Sequence, residues 1–139
     1  MSDTQEPADN AVGKVTSVVR EEDTAAALNH VTGDKFPAVL STTRTIALLE
    51  VAAGSVLAQL CLAHQLSVGV DVNVKHLAAT LPGATVTATA RYTGRIGKLY
   101  AFEVVAYDAA GEIMRGEHTR AIIDVDRLIG SAKKRNPSA

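Results

Sequence analysis

Three side chains in this 139-residue chain could form one reactive set: Thr42, Glu50 and His76. Glu50 is the one formal charge between Ile46 and Val70. Helical spacing puts it in line with Ile46, Ala53 and Leu57. Burying a carboxylate costs several kcal/mol unless it is paired or hydrogen-bonded, so a helix that needed only packing would not carry one there. The plain alternative is a glutamate at a wet helix edge or one paired with an arginine. His76 continues the row Val68, Val70, Val72, Val74 of an alternating strand, and a neutral imidazole on that face could accept a proton. Alone, a histidine on an apolar face is more often a satisfied core residue, and the case for chemistry improves only if Glu50 or Thr42 faces it. Thr42 lies in Ser41-Thr42-Thr43, where a hydroxyl serves as a helix cap unless a base sits beside it.

The elements that must position these residues can be read from the pattern. Lys14 to Arg20 alternates and reads as a short strand. Thr24 to Leu28 suggests one or two helical turns, and Gly33 and Pro37 bracket a loop holding Phe36. A long helix is expected from Ser41–Thr43 to about Leu66, with Ile46, Leu49, Ala53, Val56, Leu57 and Leu60 on its core stripe. Four strand patterns follow: Val68 to Ala78, Ala84 to Thr93, Lys98 to Tyr107 and Glu112 to Val125. Leu81-Pro-Gly83, Gly94 to Gly97 and Asp108 to Gly111 are the turns between them. Short connections favour an antiparallel meander of the four. One long apolar helix wrapped by a curved antiparallel sheet is an α+β arrangement, the hot-dog fold.

Composition removes several functions. Fourteen Lys and Arg against fifteen Asp and Glu leave a charge of −1, which gives no basic excess for nucleic acid. Aromatics are 4%, too few for a base-stacking platform. One cysteine excludes an intrachain disulfide and a thiolate metal cluster, and suits a reducing cytoplasm. The four histidines show no zinc-type spacing, so no metal is expected. Ser55, Gln59, His64 and Gln65 interrupt the apolar stretch, which argues against a membrane span. Residues 1–13 read as a disordered acidic leader, 14–130 as the domain, and 131–139 as a solvated basic tail.

Four segments together resemble the fluoroacetyl-CoA thioesterase family of hot-dog proteins, over about Lys14 to the C-terminus. They are Phe36-Pro-Ala-Val-Leu-Ser-Thr42, Leu48-Leu-Glu50-Val-Ala, Val74-Lys-His76-Leu-Ala-Ala-Thr80-Leu-Pro-Gly83 and His118-Thr-Arg120-Ala-Ile-Ile. The resemblance implies a catalytic threonine, glutamate and histidine, which fall on Thr42, Glu50 and His76. It implies an acyl-pocket glycine at Gly69, a substrate-side arginine at Arg120, and a homodimer with its site near the subunit interface. It also implies two phenylalanines closing the pocket. Phe36 matches one of these, while Gly33 stands at the other place and Val51 replaces a tryptophan after the helix glutamate. Thioester hydrolysis therefore carries over further than fluoroacetyl selectivity.

On this reading His76 is a general base acting on water or on Thr42. Glu50 either orients His76, within hydrogen-bond reach directly or through one water, or attacks as a carboxylate. Glycine at position 69 allows a backbone N–H to approach an oxyanion. Arg120 holds the acyl group or pairs with Glu117 or Asp124. The CoA phosphates need cations, with Arg91, Arg95, Lys98, Arg115 and Lys133–Arg135 as candidates. Coenzyme A is part of the acyl-CoA substrate, and no separate cofactor is expected. The competing readings are a non-catalytic dimer that binds acyl-CoA or another apolar ligand, and a hydratase. Asp71 and His76 have a hydratase-like separation but lie on opposite strand faces by parity.

Overall fold

The structure is a computed structural model describing residues 5–138. Its strands are β1 (Val12–Val18), β2 (Gln65–His76), β3 (Thr85–Ile96), β4 (Leu99–Asp108) and β5 (Gly111–Asp124). Its helices are α1 (Asn29–Thr32), α2 (Thr42–Leu57) and α3 (Val125–Arg135). The five strands form one antiparallel sheet in the order β1-β3-β4-β5-β2. Helix α2 packs against this sheet, with Leu48, Leu49, Ala52, Ala53, Val56 and Leu57 buried. The α+β hot-dog arrangement expected from the pattern is present.

Alternation explains the core. Val86, Ala88, Ala90 and Tyr92 of β3 are all buried, as are Tyr100, Phe102, Val104 and Ala106 of β4. Small side chains there let α2 lie close to the sheet, and Tyr92 meets Phe102 edge to face with centroids 5.8 Å apart.

Four expectations change. The four C-terminal strands do not form a simple meander: β2 pairs with β5 at the far edge, and β3 takes β1 as its other neighbour. The segment after His76 is no hairpin, since its Thr80 carbonyl accepts from Leu40 N–H at 2.8 Å. Helix α2 ends at Leu57 rather than near Leu66. A 3₁₀ turn over Ala58–Leu60 follows, and Gln65 already opens β2. The described part of the leader, from Gln5, is docked rather than loose. Glu6 accepts a hydrogen bond from the Tyr92 hydroxyl at 3.0 Å, and the Gln5 carbonyl accepts from Tyr100 at 3.4 Å. Residues 1–4 lie outside the described residues. The basic trio Lys133, Lys134 and Arg135 forms the last turn of α3, where cations suit the helix dipole.

A bulge in β2 matters most for the site. Gly69 pairs with Arg120 and Asp71 with Thr119, so the register passes over Val70. Side-chain parity flips at that point. Below the bulge Val72, Val74 and His76 lie opposite His118, Gly116 and Met114 on the inner face. Above it Gly69 and Ser67 take that face, and Val68 and Val70 do not join the row of Val72, Val74 and His76.

Candidate active site

The first residue group lies at the start of α2. Ser41 is the N-cap, accepting from Arg44 N–H at 3.0 Å. Its own N–H donates to the Asp23 carbonyl at 3.0 Å, and the Asp23 carboxylate holds Arg44 at 3.0 Å. Because Ser41 caps the helix, the Thr42 hydroxyl is not needed for capping. It lies 2.8 Å from His76 Nδ1. With the ring proton on Nε2, the hydroxyl donates to Nδ1 and has a base beside it. His76 Nε2 is buried and has no hydrogen-bond partner among the described residues.

The second group lies two turns along the helix. Arg120, a buried residue, donates from Nη1 to Glu50 Oε2 at 3.2 Å. Its Nε donates to Ser67 Oγ and its Nη2 to the Ser67 carbonyl, both at 3.0 Å. Its Nη1 also lies 3.1 Å from His118 Nε2. Arginine can only donate, so that imidazole nitrogen accepts and His118 Nδ1–H donates to the Asp71 carbonyl at 2.8 Å. The ring is therefore neutral. Burial holds His118 below the usual histidine range, opposed by the Asp71 carbonyl and reinforced by the Arg120 charge. Histidine 118 thus ties the bulge in β2 to the arginine that holds Glu50.

Gly69 lies directly under the carboxylate. A Cβ at this position would overlap Glu50 Oε2 and come within 3.2 Å of His118 Cε1. The missing side chain is what lets Glu50 lie against the strand.

The expected residues are thus split between two ends. Thr42 meets His76, while Glu50 meets Arg120 over Gly69. Glu50 bonds to Arg120 and His76 to Thr42. Eight residues of helix separate Thr42 from Glu50, about 12 Å along the axis. The expected direct Glu50–His76 hydrogen bond is not made among the described residues. Arg120 does not pair with Glu117 or Asp124. Glu117 is on the opposite face of β5 by parity, and Asp124 caps α3 by accepting from Arg127 N–H. Phe36 is 38% exposed, its backbone clamped by Asn29 through bonds of 2.7 and 3.3 Å. Gly33 ends α1 at φ +77°, a left-handed conformation that a phenylalanine would adopt only with strain. His118 and Ser67 escaped the sequence reading. The signal for His118 was its i, i+2 spacing to Arg120 on one strand face.

A family model described as fluoroacetyl-CoA-specific thioesterase matches residues 19–126. The chain belongs to this family. The fluoroacetyl-CoA thioesterase of Streptantibioticus cattleyicolor is 33% identical over 104 residues, 75% of each chain. A solved structure of the fluoroacetyl-CoA thioesterase FlK superposes with a TM-score of 0.90 at 28% identity, covering 96% of this chain and 100% of that one. A phenylalanine-to-alanine mutant of FlK in complex with fluoroacetate and CoA gives 0.84 at 29% identity, covering 89% and 98%. A thioesterase superfamily member from Thermus thermophilus gives 0.85 at 22% identity over 98% of this chain and 100% of that one, which shows the fold alone. No helix among the described residues is long and apolar enough to cross a membrane.

Proposed function

We propose that the chain hydrolyses a small acyl-CoA thioester to the acid and free coenzyme A, working as a symmetric dimer joined through β2. The observation that carries the reading is the Thr42 hydroxyl 2.8 Å from His76 Nδ1, at the positive end of α2. His76 withdraws a proton from Thr42 or from a water. The oxygen attacks the thioester carbonyl, the C–S bond breaks, and the CoA sulfur leaves and takes the proton back. Attack by water gives the acid directly. Attack by Thr42 gives an acyl-threonine ester that a water deprotonated by His76 then cleaves, releasing the acid and returning the proton to the Thr42 oxygen. Glu50 supplies the carboxylate of the site, aimed by Arg120 over Gly69. Coenzyme A enters only as part of the substrate.

The dimer reading rests on three features. Strand β2 is an edge strand, and such edges pair readily. Val70 and Val72 on it are exposed. Antiparallel pairing of β2 with its own copy sets the His76 end of one chain beside the Gly69 end of the other. That arrangement brings one subunit's Glu50 towards the other's His76, whose Nε2 has no partner within its own chain. Each site then takes Glu50 from one subunit and Thr42–His76 from the other.

The test is thiol release from acetyl-, fluoroacetyl-, longer-chain and aromatic acyl-CoA esters, with Glu50→Gln and His76→Ala alongside. Full activity in both variants would sink the mechanism. Tight acyl-CoA binding without thiol release would leave a binding module instead.

A further inference from the structure

Beyond the C-terminal end of α2 the inner face of the sheet opens into a cleft of about 730 Å³. Its charged and titratable lining is Arg95, Lys98 and Arg127, with His64, Asp124 and Tyr100, beside the neutral Gln65 and Ser131. Three permanent cations therefore face one carboxylate. That carboxylate is already engaged: Asp124 accepts from Arg127 N–H at 3.1 Å and lies 3.8 Å from His64 Nε2.

The cations are placed by the fold. The register of β3 against β4 skips Thr93, so parity flips after Tyr92. Without that bulge Arg95 would point away from the helix. With it, Arg95 stands opposite Tyr100, its guanidinium carbon 4.4 Å from the ring centroid. Lys98 occupies the turn that joins β3 to β4, and Arg127 the first turn of α3. Three separate elements thus converge on one mouth.

The cleft is continuous in register with the Glu50 site. Gln65 pairs with Asp124 and Gly69 with Arg120, so four residues of the same ladder connect them, about 13 Å. That is a span an extended pantetheine arm can cover. We propose that this cleft holds the phosphate groups of the coenzyme A moiety, with Arg95, Lys98 and Arg127 as their counter-charges. The proposal rests on the acyl-CoA reading given above. Arg91 and Arg115, two other candidates, do not line the cleft and are bound to Glu103 and Glu112.

The experiment compares the doubly substituted Lys98→Ala/Arg127→Ala chain with the unsubstituted one on two thioesters of the same acyl group. One is acetyl-CoA. The other is acetyl N-acetylcysteamine, which has no phosphate. Two exposed ion contacts predict a loss of about tenfold in kcat/KM for acetyl-CoA, mostly in KM and shrinking with added salt. Hydrolysis of the truncated ester should stay within about twofold. Equal rates on both substrates, or equal losses on both, overturn the proposal. Calorimetric titration with CoA and with pantetheine gives a second readout that needs no turnover. Weakened CoA binding with unchanged pantetheine binding supports the cleft even if neither ester is hydrolysed, and equal CoA binding by both proteins overturns it.

Discussion

Arg120 holds Glu50 by a 3.2 Å ion pair, and this pair explains the lone acid of the apolar helix. The two side chains are 10% and 39% exposed. The arginine is buried and directs three further donors to Ser67 and His118. The carboxylate keeps one side open. A structural pair would close both partners away from water. Here the cation is fixed and the anion is presented.

That asymmetry separates two substitutions. Arg120→Gln leaves Ser67, His118 and Glu50 with unmet bonds and should cost about 2–3 kcal/mol in urea unfolding. Glu50→Gln keeps an acceptor oxygen for the arginine. It should change stability by about 1 kcal/mol or less while lowering kcat at least about 100-fold. Equal stability losses in the two would show that the pair is merely structural.

Gly69→Ala should act on rate before stability. The added methyl meets the far end of the Glu50 side chain, which can swing aside. We expect at most about 1 kcal/mol of destabilisation with a clear loss of kcat. Gly116→Ala is the contrast, because its Cβ would overlap the Asn73 carbonyl in the neighbouring strand. Backbone must move there, and about 2–3 kcal/mol should be lost. Thermal unfolding of both variants checks the ordering.

His118 makes stability depend on pH. Its folded pKa lies below the ordinary value of 6.5, so in the window between them the unfolded chain binds more protons. Its stabilising contribution is full above pH 6.5 and is lost as pH falls through the depressed folded value. Protonation would also set an N–H against the Arg120 guanidinium. Urea midpoints from pH 7.5 down to 5 should fall, and His118→Gln should flatten that slope. An equal slope in the variant would refute the assignment.

Much of this was legible in the residues. Glu50 stood out because no other formal charge lies between Ile46 and Val70, and the Val86–Tyr92 alternation placed β3 correctly on the core. The N-cap was legible only as a triplet, since Ser41, Thr42 and Thr43 are chemically alike at that level. Packing of Asp23 against Ser41 decides among them. The bulges at Val70 and Thr93 were not legible, because a period-two pattern assumes an unbroken ladder. Each bulge reassigns a face: one brings Gly69 inward and the other brings Arg95 inward. The end of α2 was also hidden, since Ala58 to Leu62 contains no glycine or proline to mark a stop. Long-range pairing of β2 with β5 fixes where the strand must begin.

The split of the site yields the last prediction. Neither Glu50→Gln nor His76→Ala should turn over alone. In a mixed dimer of the two variants, one shared site carries both changes and the other carries neither. Half of randomly mixed dimers are hybrids, each with one intact site, so refolding the two variants together should restore about one quarter of the full rate. If each site were built within one chain, mixing would restore nothing. Val72→Lys on the β2 edge adds an independent check. A charge there should oppose strand pairing, shift sedimentation towards monomer and remove activity in parallel. Full activity in a monomeric variant would place the whole reaction within one chain and overturn the shared site.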